Sequence, residues 1–367
     1  MRSDVLRVAD SLDPFPPELP WESLVTAVGK ANAALARYDG MIQTLPRPDV
    51  LLAPLATREA VLSSRIEGTQ ATLVEVLANE ADPAGDAPGR GEIREILNYR
   101  DAVDAAVEEL ERRPLSLNLI RRAHRVLMTG VRGESRAPGE FRRVQNYIAG
   151  PGETIEQAVY VPPPPNDVLP LLDELEKYMH ADERDSIVQI GLIHARFEAI
   201  HPFLDGNGRV GRMLIPLFLY AREVIVRPAF YLSGWLEAHR TEYYDRLRAI
   251  TSEGDHAGWV RFFLRGVTAQ AEEDRRRVRE MLALYDATQV AVVDVTRSRY
   301  ALAATDALFG QPIFSTAGFS ADSGIPPASA ARLLDRLTKA GVLGVVRAGR
   351  GRRPTVWSFP ELLAIVQ

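Results

Sequence analysis

The sequence predicts a mainly α-helical protein with a short β-hairpin in its middle and a helix-plus-hairpin module near its C-terminal end. Three observations carry that expectation. Apolar residues recur three and four positions apart over long windows, strand-like alternation is confined to short runs, and proline and glycine clusters punctuate the chain. No internal repeat appears.

Taken in order, the region up to about Asn79 is expected to be helical. The run from Thr57 to Ile66 sets Ala60, Val61 and Ser64 on one side; Gly68 reads as a helix-ending residue and Thr69 as the cap of the next helix. Ala81 to Gly89 holds two prolines and two glycines and reads as a loop. Helical patterns then dominate to about Thr268, at Ile96 to Leu110, Leu117 to Met128, Val168 to Met179 and Asp185 to Ile200. The last sets Ile187, Ile190, His194, Phe197 and Ile200 on one stripe, which should be buried. Residues 139–148 and 158–161 alternate like the strands of a hairpin, and Pro162 to Pro165 forbids further regular structure. Charged residues from Glu272 to Glu280 open a long, mostly solvated connecting helix.

Composition sets the outer limits. A chain of 367 residues, 46% of them hydrophobic, can bury a sizeable core and divides into two or three domains. The net charge of −5 makes the molecule as a whole a poor polyanion binder, and the absence of cysteine excludes disulfides and thiolate metal sites. Met1 to Pro20 has no hydrophobic leader core, and the longest apolar run, Met213 to Ala221, falls far short of the roughly 20 residues a membrane span needs. A soluble, cytoplasmic protein without a membrane partner is expected. Lysine occurs only at 30, 177 and 339, so arginine carries the positive charge.

The densest chemistry lies in His201-Pro202-Phe203-Leu204-Asp205-Gly206-Asn207-Gly208-Arg209-Val210-Gly211-Arg212. It gathers a proton acceptor, a carboxylate, a glycine-flanked asparagine and two arginines. Glycines let backbone approach phosphate oxygens, and the apolar-periodic run from Val210 to Tyr220 places their N–H groups at a helix N-terminus, which favours anions. Arg209 and Arg212, three apart, share a helix face and can grip phosphate from one side. Phosphoryl and nucleotidyl transfer is catalysed mostly by positioning and by stabilising charge on phosphate oxygens, and a neutral imidazole can take the proton of an incoming hydroxyl. His194, Glu198 and His201, at i, i+4 and i+7, also suggest a metal site; however, two histidines four apart with a glutamate beside the first are absent, and His194 reads better as a buried hydrogen-bonding residue.

At every specified position the string resembles the signature of the Fic family, HPFx(D/E)GNGRxxR. The resemblance implies that His201 is the general base, Phe203 anchors the loop, Asp205 binds Mg²⁺, and Gly206, Asn207 and Gly208 bind the α/β-phosphates of ATP. It gives Arg209 and Arg212 the outer phosphates, Arg212 the γ. The usual family reaction moves AMP from ATP to a Ser, Thr or Tyr hydroxyl of a protein. Upstream, Ser63-Ser64-Arg65-Ile66-Glu67-Gly68 resembles the family's inhibitory pattern (S/T)xxxE(G/N) through Ser63, Glu67 and Gly68. In the family this glutamate pairs with the second signature arginine, here Arg212. The same carboxylate could position a water that removes AMP. Residues 139–148 and 158–163 resemble the flap that holds a target segment by strand-like pairing. Tyr231-Leu232-Ser233 and Glu242 to Leu247 resemble the nucleotide pocket, which nominates Tyr231 and Tyr243. Where relatives carry Asn before Arg in NRxxYY, this chain has His239-Arg240.

Residues 291–367 carry nine Lys and Arg against five acids, a balance of +4 that leaves −9 for the rest. From Ile325 to Ala340 a turn leads into a helix with Ala331, Leu334 and Leu337 inward and Arg332, Arg336 and Lys339 outward, closed by Gly341. Val342 to Arg347 and Thr355 to Phe359 read as strands joined by an arginine-rich tip at 348–354. This resembles a winged helix-turn-helix, whose partner is left open between duplex DNA and a protein surface. The expected organisation is an N-terminal region with the inhibitory helix (1–90), a Fic core (91–270), a connecting helix (271–298) and a winged module (299–367). Dimerisation, common among relatives, is a natural regulator. Two other readings remain: a transcription regulator whose core senses nucleotide, and a transferase of phosphate or phosphocholine on the same fold.

Overall fold

The computed structural model describes residues 12–83, 89–131, 133–150, 152–349 and 353–367. Part of the expected 81–89 loop and the tip residues Arg350, Gly351 and Arg352 lie outside the described residues. In chain order the elements begin with α1 (Trp21–Gln43), α2 (Pro48–Ile66), α3 (Leu73–Ala81), α4 (Arg90–Leu110), α5 (Leu117–Leu127), α6 (Val168–Met179) and α7 (Ser186–Ile200). They continue with α8 (Asn207–Ala221), α9 (Ser233–Ala238), α10 (Arg240–Glu253), α11 (His256–Thr296), α12 (Ala301–Gly310), β1 (Ile313–Ser315), α13 (Thr316–Ser323), α14 (Pro327–Lys339), β2 (Gly344–Arg347), β3 (Val356–Ser358) and α15 (Pro360–Val366). The mainly helical expectation holds.

The chain forms two compact units. The first takes the residues up to Ala36 together with Asn98–Ala271; the second takes Arg37–Leu97 and Glu272–Gln367. The chain passes between them inside α1, α4 and α11.

In the first unit α7 is the central helix, packed against α6, α8 and α10. Its expected stripe is buried: Ile187, Ile190, His194, Phe197 and Ile200 are each fully enclosed. Asp185 starts the helix from outside, accepting from the Val188 N–H (2.8 Å), and so stands at the cap, one residue before the first helical position. Gly211 lets α8 approach closely, because a Cβ there would sit 2.4 Å from Glu198 Oε1. The expected hairpin at 139–161 reduces to a single antiparallel bridge between Ile148 and Tyr160. The Arg142 N–H, which a strand would pair, goes instead to Pro202 O (2.8 Å).

In the second unit α2 lies along α12 and touches α15, and α3 lies against β1. Its sheet is antiparallel with order β1-β3-β2, pairing Phe314 with Trp357 and Val345 with Trp357 across the two ladders. The hairpin strands are shorter than expected, and β1 escaped notice because three residues give no periodicity. Within α14, Ala330, Leu333, Leu334 and Leu337 are buried, so Ala330 faces inward where Ala331 was expected. Thr69 does not cap α3. Thr72 does, with a reciprocal bond to Glu75, while the Gln70 and Ala71 N–H groups go to Glu92 Oε2 (2.7 and 3.0 Å). The capping-box spacing Thr72-x-x-Glu75 was legible and is the stronger signal.

Among the described residues, no helix is long and apolar enough to cross a membrane.

Candidate active site

Helix α7 ends where Pro202 forbids another turn, and His201 takes a left-handed conformation (φ 47°, ψ 60°) as its C-terminal cap. For a residue other than glycine this conformation costs about 1 kcal/mol or more, and it persists only where neighbours over-determine it. Here they do. Arg142 Nε donates to His201 O (2.9 Å), Arg142 Nη2 to Pro163 O and Ile200 O (2.5 and 3.2 Å), and the Arg142 N–H to Pro202 O (2.8 Å). Asn146 Nδ2 donates to Phe203 O (2.9 Å) and His201 O (3.3 Å). Burial lowers the Arg142 guanidinium below its ordinary pKa, offset in part by Tyr160. Tyr160, which closes the bridge, donates through its hydroxyl to Ala199 O (2.7 Å).

Phe203 is fully buried, stacked face to face on His124 at 3.7 Å and tilted against Phe141 and Phe197. The Gly139 N–H donates to His124 Nδ1 (2.8 Å), so the proton sits on Nε2 and is donated to Asp205 O (3.0 Å). Burial holds His124 at about 4, neutral, so the ring joins the loop to α5 without adding charge. Asn207 closes the loop on itself: its Oδ1 accepts the Phe203 N–H (2.8 Å) and its Nδ2 donates to Phe203 O (2.9 Å). Gly206 caps α8 at φ 77°, and a Cβ there would meet Met128 Sδ at 3.0 Å and His124 Nε2 at 3.5 Å. The first intrahelical donor of α8 is Val210 N–H to Gly206 O (3.1 Å). The N–H groups of Asn207, Gly208 and Arg209 therefore occupy the helix's leading turn, where anions are favoured.

Asp205 is about one-third exposed, accepts the Gly206 N–H on Oδ1 (2.7 Å), and lies 3.6 Å from Arg209 Nη2. Arg209 and Arg212 are 4% and 2% exposed, so both guanidinium groups are gathered in the interior and not spread into solvent.

His194 is not a metal ligand. Its Nδ1 donates to Gly211 O (2.9 Å), which leaves Nε2 to accept from the Tyr243 hydroxyl (2.9 Å). Complete burial holds it neutral, at about 4. Among the described residues no three His, Asp or Glu gather to hold a metal ion. Tyr243 is 1% exposed and packs beside Trp259, whereas Tyr244 is more than a third exposed under Arg240. Tyr231 stands half-buried two residues before α9. His239 stacks on Trp235 at 3.5 Å. Ser63, buried in the last turn of α2, Glu67, its C-cap, and Gly68, at φ 100°, belong to the second unit.

Arg142, Asn146 and His124 escaped the sequence reading. His124 left one signal, a histidine on the buried stripe of α5 with Leu119, Ile120, Ala123 and Leu127. The other two left none, because which carbonyls they meet depends on the folded path of α7 and its loop.

A helical core whose central helix breaks at a left-handed histidine, followed by a glycine-asparagine turn into a second helix with two enclosed arginines, defines a Fic-type fold. The Fic/DOC family N-terminal model matches residues 25–108 and the Fic/DOC family model residues 114–219. The chain belongs to the Fic/DOC family. It is similar to the protein adenylyltransferase Fic of Drosophila grimshawi, 29% identical over 251 residues, covering 65% of this chain and 44% of that protein. The protein of the same description from Culex quinquefasciatus is 32% identical over 127 residues, covering 34% and 22%. The chain thus spans less than half the length of these curated relatives. A crystal structure of a Fic family protein from Desulfovibrio desulfuricans shares the fold, with a TM-score of 0.60 and 20% identity, covering 95% of this chain and 98% of that one. A Fic domain containing signaling protein from Bacteroides thetaiotaomicron gives 0.53 and 15%, covering 68% and 96%.

Proposed function

We propose that this chain is a protein adenylyltransferase that moves AMP from ATP to a hydroxyl side chain of a protein target. The observation that carries the reading is the loop 201–209, fixed at both ends by buried side chains, with Arg209 and Arg212 enclosed behind it. In the reaction, the target hydroxyl oxygen attacks the α-phosphorus, the bond from that phosphorus to the bridging β-phosphate oxygen breaks, and pyrophosphate leaves. His201 takes the hydroxyl proton. The turn Gly206-Asn207-Gly208, through the N–H groups that lead α8, and the guanidinium groups of Arg209 and Arg212 hold the phosphates. Asp205 fits a Mg²⁺ ligand, being a single, partly exposed carboxylate with one oxygen already oriented by the Gly206 N–H, which suits an ion that keeps waters and substrate phosphates. Mg²⁺ bound there would neutralise charge on the phosphate oxygens. Tyr231 lines the adenosine side; Tyr243 acts through His194, to which its hydroxyl is committed.

The bridge at Ile148 and Tyr160, flanked by the exposed apolar residues Val144, Tyr147 and Val159, supports a target segment laid along this region. Glu67, with Ser63 and Gly68, holds the enzyme inhibited by pairing with Arg212. We place the reaction in the cytoplasm, where ATP and Mg²⁺ are abundant.

Incubating wild type and Glu67→Gly with ATP and Mg²⁺, followed by intact-mass analysis, tests the reading. A gain of one AMP on the protein or a lysate target, faster in Glu67→Gly by roughly 5- to 150-fold, is expected for a coupling of about 1–3 kcal/mol. A gain of phosphate alone would select a different transferase. We also propose that residues 299–367 are a winged helix module, supported by the order α12-β1-α13-α14-β2-β3 and by Ala328, Ala331 and Arg332 on the exposed face of α14. Titration against duplex DNA tests one partner: phosphate contacts make affinity fall steeply with salt.

A further inference from the structure

We infer that the helix carrying Glu67 is governed by the C-terminal part of the chain, so that binding or strain in that part sets the level of autoinhibition. The inference rests on the inhibitory reading of Glu67 proposed above.

Helix α2 is tied to C-terminal elements at several points. Arg47, its N-cap, pairs with Asp306 of α12, and Asp306 Oδ1 also accepts the Tyr285 hydroxyl of α11 (2.5 Å). Midway, Arg58 Nε donates to Gln367 O (3.3 Å), beside the contact of α2 with α15. Just beyond Glu67, α3 lies against β1, and its C-cap Asp82 pairs with Arg347 of β2. The elements that receive these ties are packed on one another: Tyr285 meets Phe309 edge-on at 5.1 Å, and Phe309 meets Phe359 edge-on at 5.4 Å. Residues 37–97 and 272–367 accordingly form one compact unit, although more than 170 positions of sequence separate them.

The consequence is mechanical. A helix of 19 residues is about 28 Å long, so a tilt of about 5° at the Arg47 end carries the Glu67 end roughly 2.5 Å. That is enough to break a hydrogen bond. Glu67 ends this helix, and it belongs to the body that contains α12 to α15. A partner seated on α14 or the hairpin would therefore act on inhibition without touching the nucleotide.

The test compares wild type, Asp306→Asn, Arg47→Ala, Glu67→Gly and the Asp306→Asn/Glu67→Gly pair. Arg47 is half-exposed, so its loss spares the fold, whereas Asp306 is largely enclosed and also holds Tyr285. AMP incorporation is read by intact mass, and amide exchange is read over residues 57–68. Asp306→Asn and Arg47→Ala should each raise incorporation about two- to fivefold, the equivalent of one partly exposed ion pair, with faster exchange over 57–68. Neither should add to Glu67→Gly. Wild-type incorporation in both variants beside an active Glu67→Gly overturns this inference alone, as does additivity in the pair. A Glu67→Gly rate equal to wild type removes the inhibitory reading, and this inference with it.

Discussion

The loop at 201–209 and the segment at 63–68 both follow a helix, yet they are held by different physics. The first is fixed by side chains on its backbone: Arg142 and Asn146 reach its carbonyls and His124 reaches Asp205 O from elsewhere, while Asn207 within it closes on Phe203. The second closes local backbone turns, Glu67 N–H to Ser64 O (3.0 Å), Gly68 N–H to Arg65 O (2.9 Å) and Thr69 N–H to Ser64 O (3.2 Å). A loop built from buried side-chain bonds resists change, because each lost partner leaves a desolvated group behind. A turn closed by its own backbone shifts with the helix that carries it.

The comparison is broken most severely by His201→Ala. Removing the base should lower AMP transfer by about 10²- to 10⁴-fold while ATP affinity stays near wild type, measured by single-turnover incorporation beside nucleotide titration. Full retained transfer would take the base away from His201.

Acid sharpens the contrast between the two units. All six histidines, at 124, 180, 194, 201, 239 and 256, fall in the first unit. His124 and His194 sit at about 4 when folded, below the unfolded value near 6.5, so folding favours their neutral forms. Their contribution is whole above pH 6.5 and is lost as pH falls from 6.5 towards 4, on the order of 3 kcal/mol each. Amide exchange compared at pH 7 and pH 5 should show α5, α7 and α8 loosening well ahead of α12 to α15. Equal loosening of both units would remove the two histidines as the cause.

Asn207→Ala strands the Phe203 N–H inside the protein and leaves the Phe203 carbonyl to Asn146 alone. A loss of about 2–3 kcal/mol is expected in thermal or denaturant unfolding, with transfer falling further than stability because the glycine turn loses its register. Unchanged stability would mean that water replaces the amide. The smallest effect belongs to the second unit: Thr72→Ala removes the α3 capping box and should cost about 1 kcal/mol, with wild-type transfer in a Glu67→Gly background. Transfer lost in that background would mean that α3 serves the catalytic loop as well as the inhibitory one.

Much was legible in the chain. The stripe on α7, the break at Pro202 and the run of glycines are local features, and local features survive into the fold because they fix backbone conformation directly. Thr72, not Thr69, caps α3, because only Thr72 has a glutamate three residues on to complete the capping box. In the 139–161 segment the Arg142 N–H goes to Pro202 O and not to a facing strand, and pairing is left at Ile148 and Tyr160. Tyr243 gave an aromatic that packing enclosed.

By itself the sequence determined the helical class, the place where the central helix stops, and which residue types make up the loop that follows it, since periodicity, proline and glycine act within a few residues. Only the tertiary structure decided that His124, Arg142 and Asn146 hold that loop, and that residues 37–97 join 272–367 in one body. Those outcomes depend on which distant surfaces bury each other and which buried polar atoms then find partners, and no local pattern encodes either.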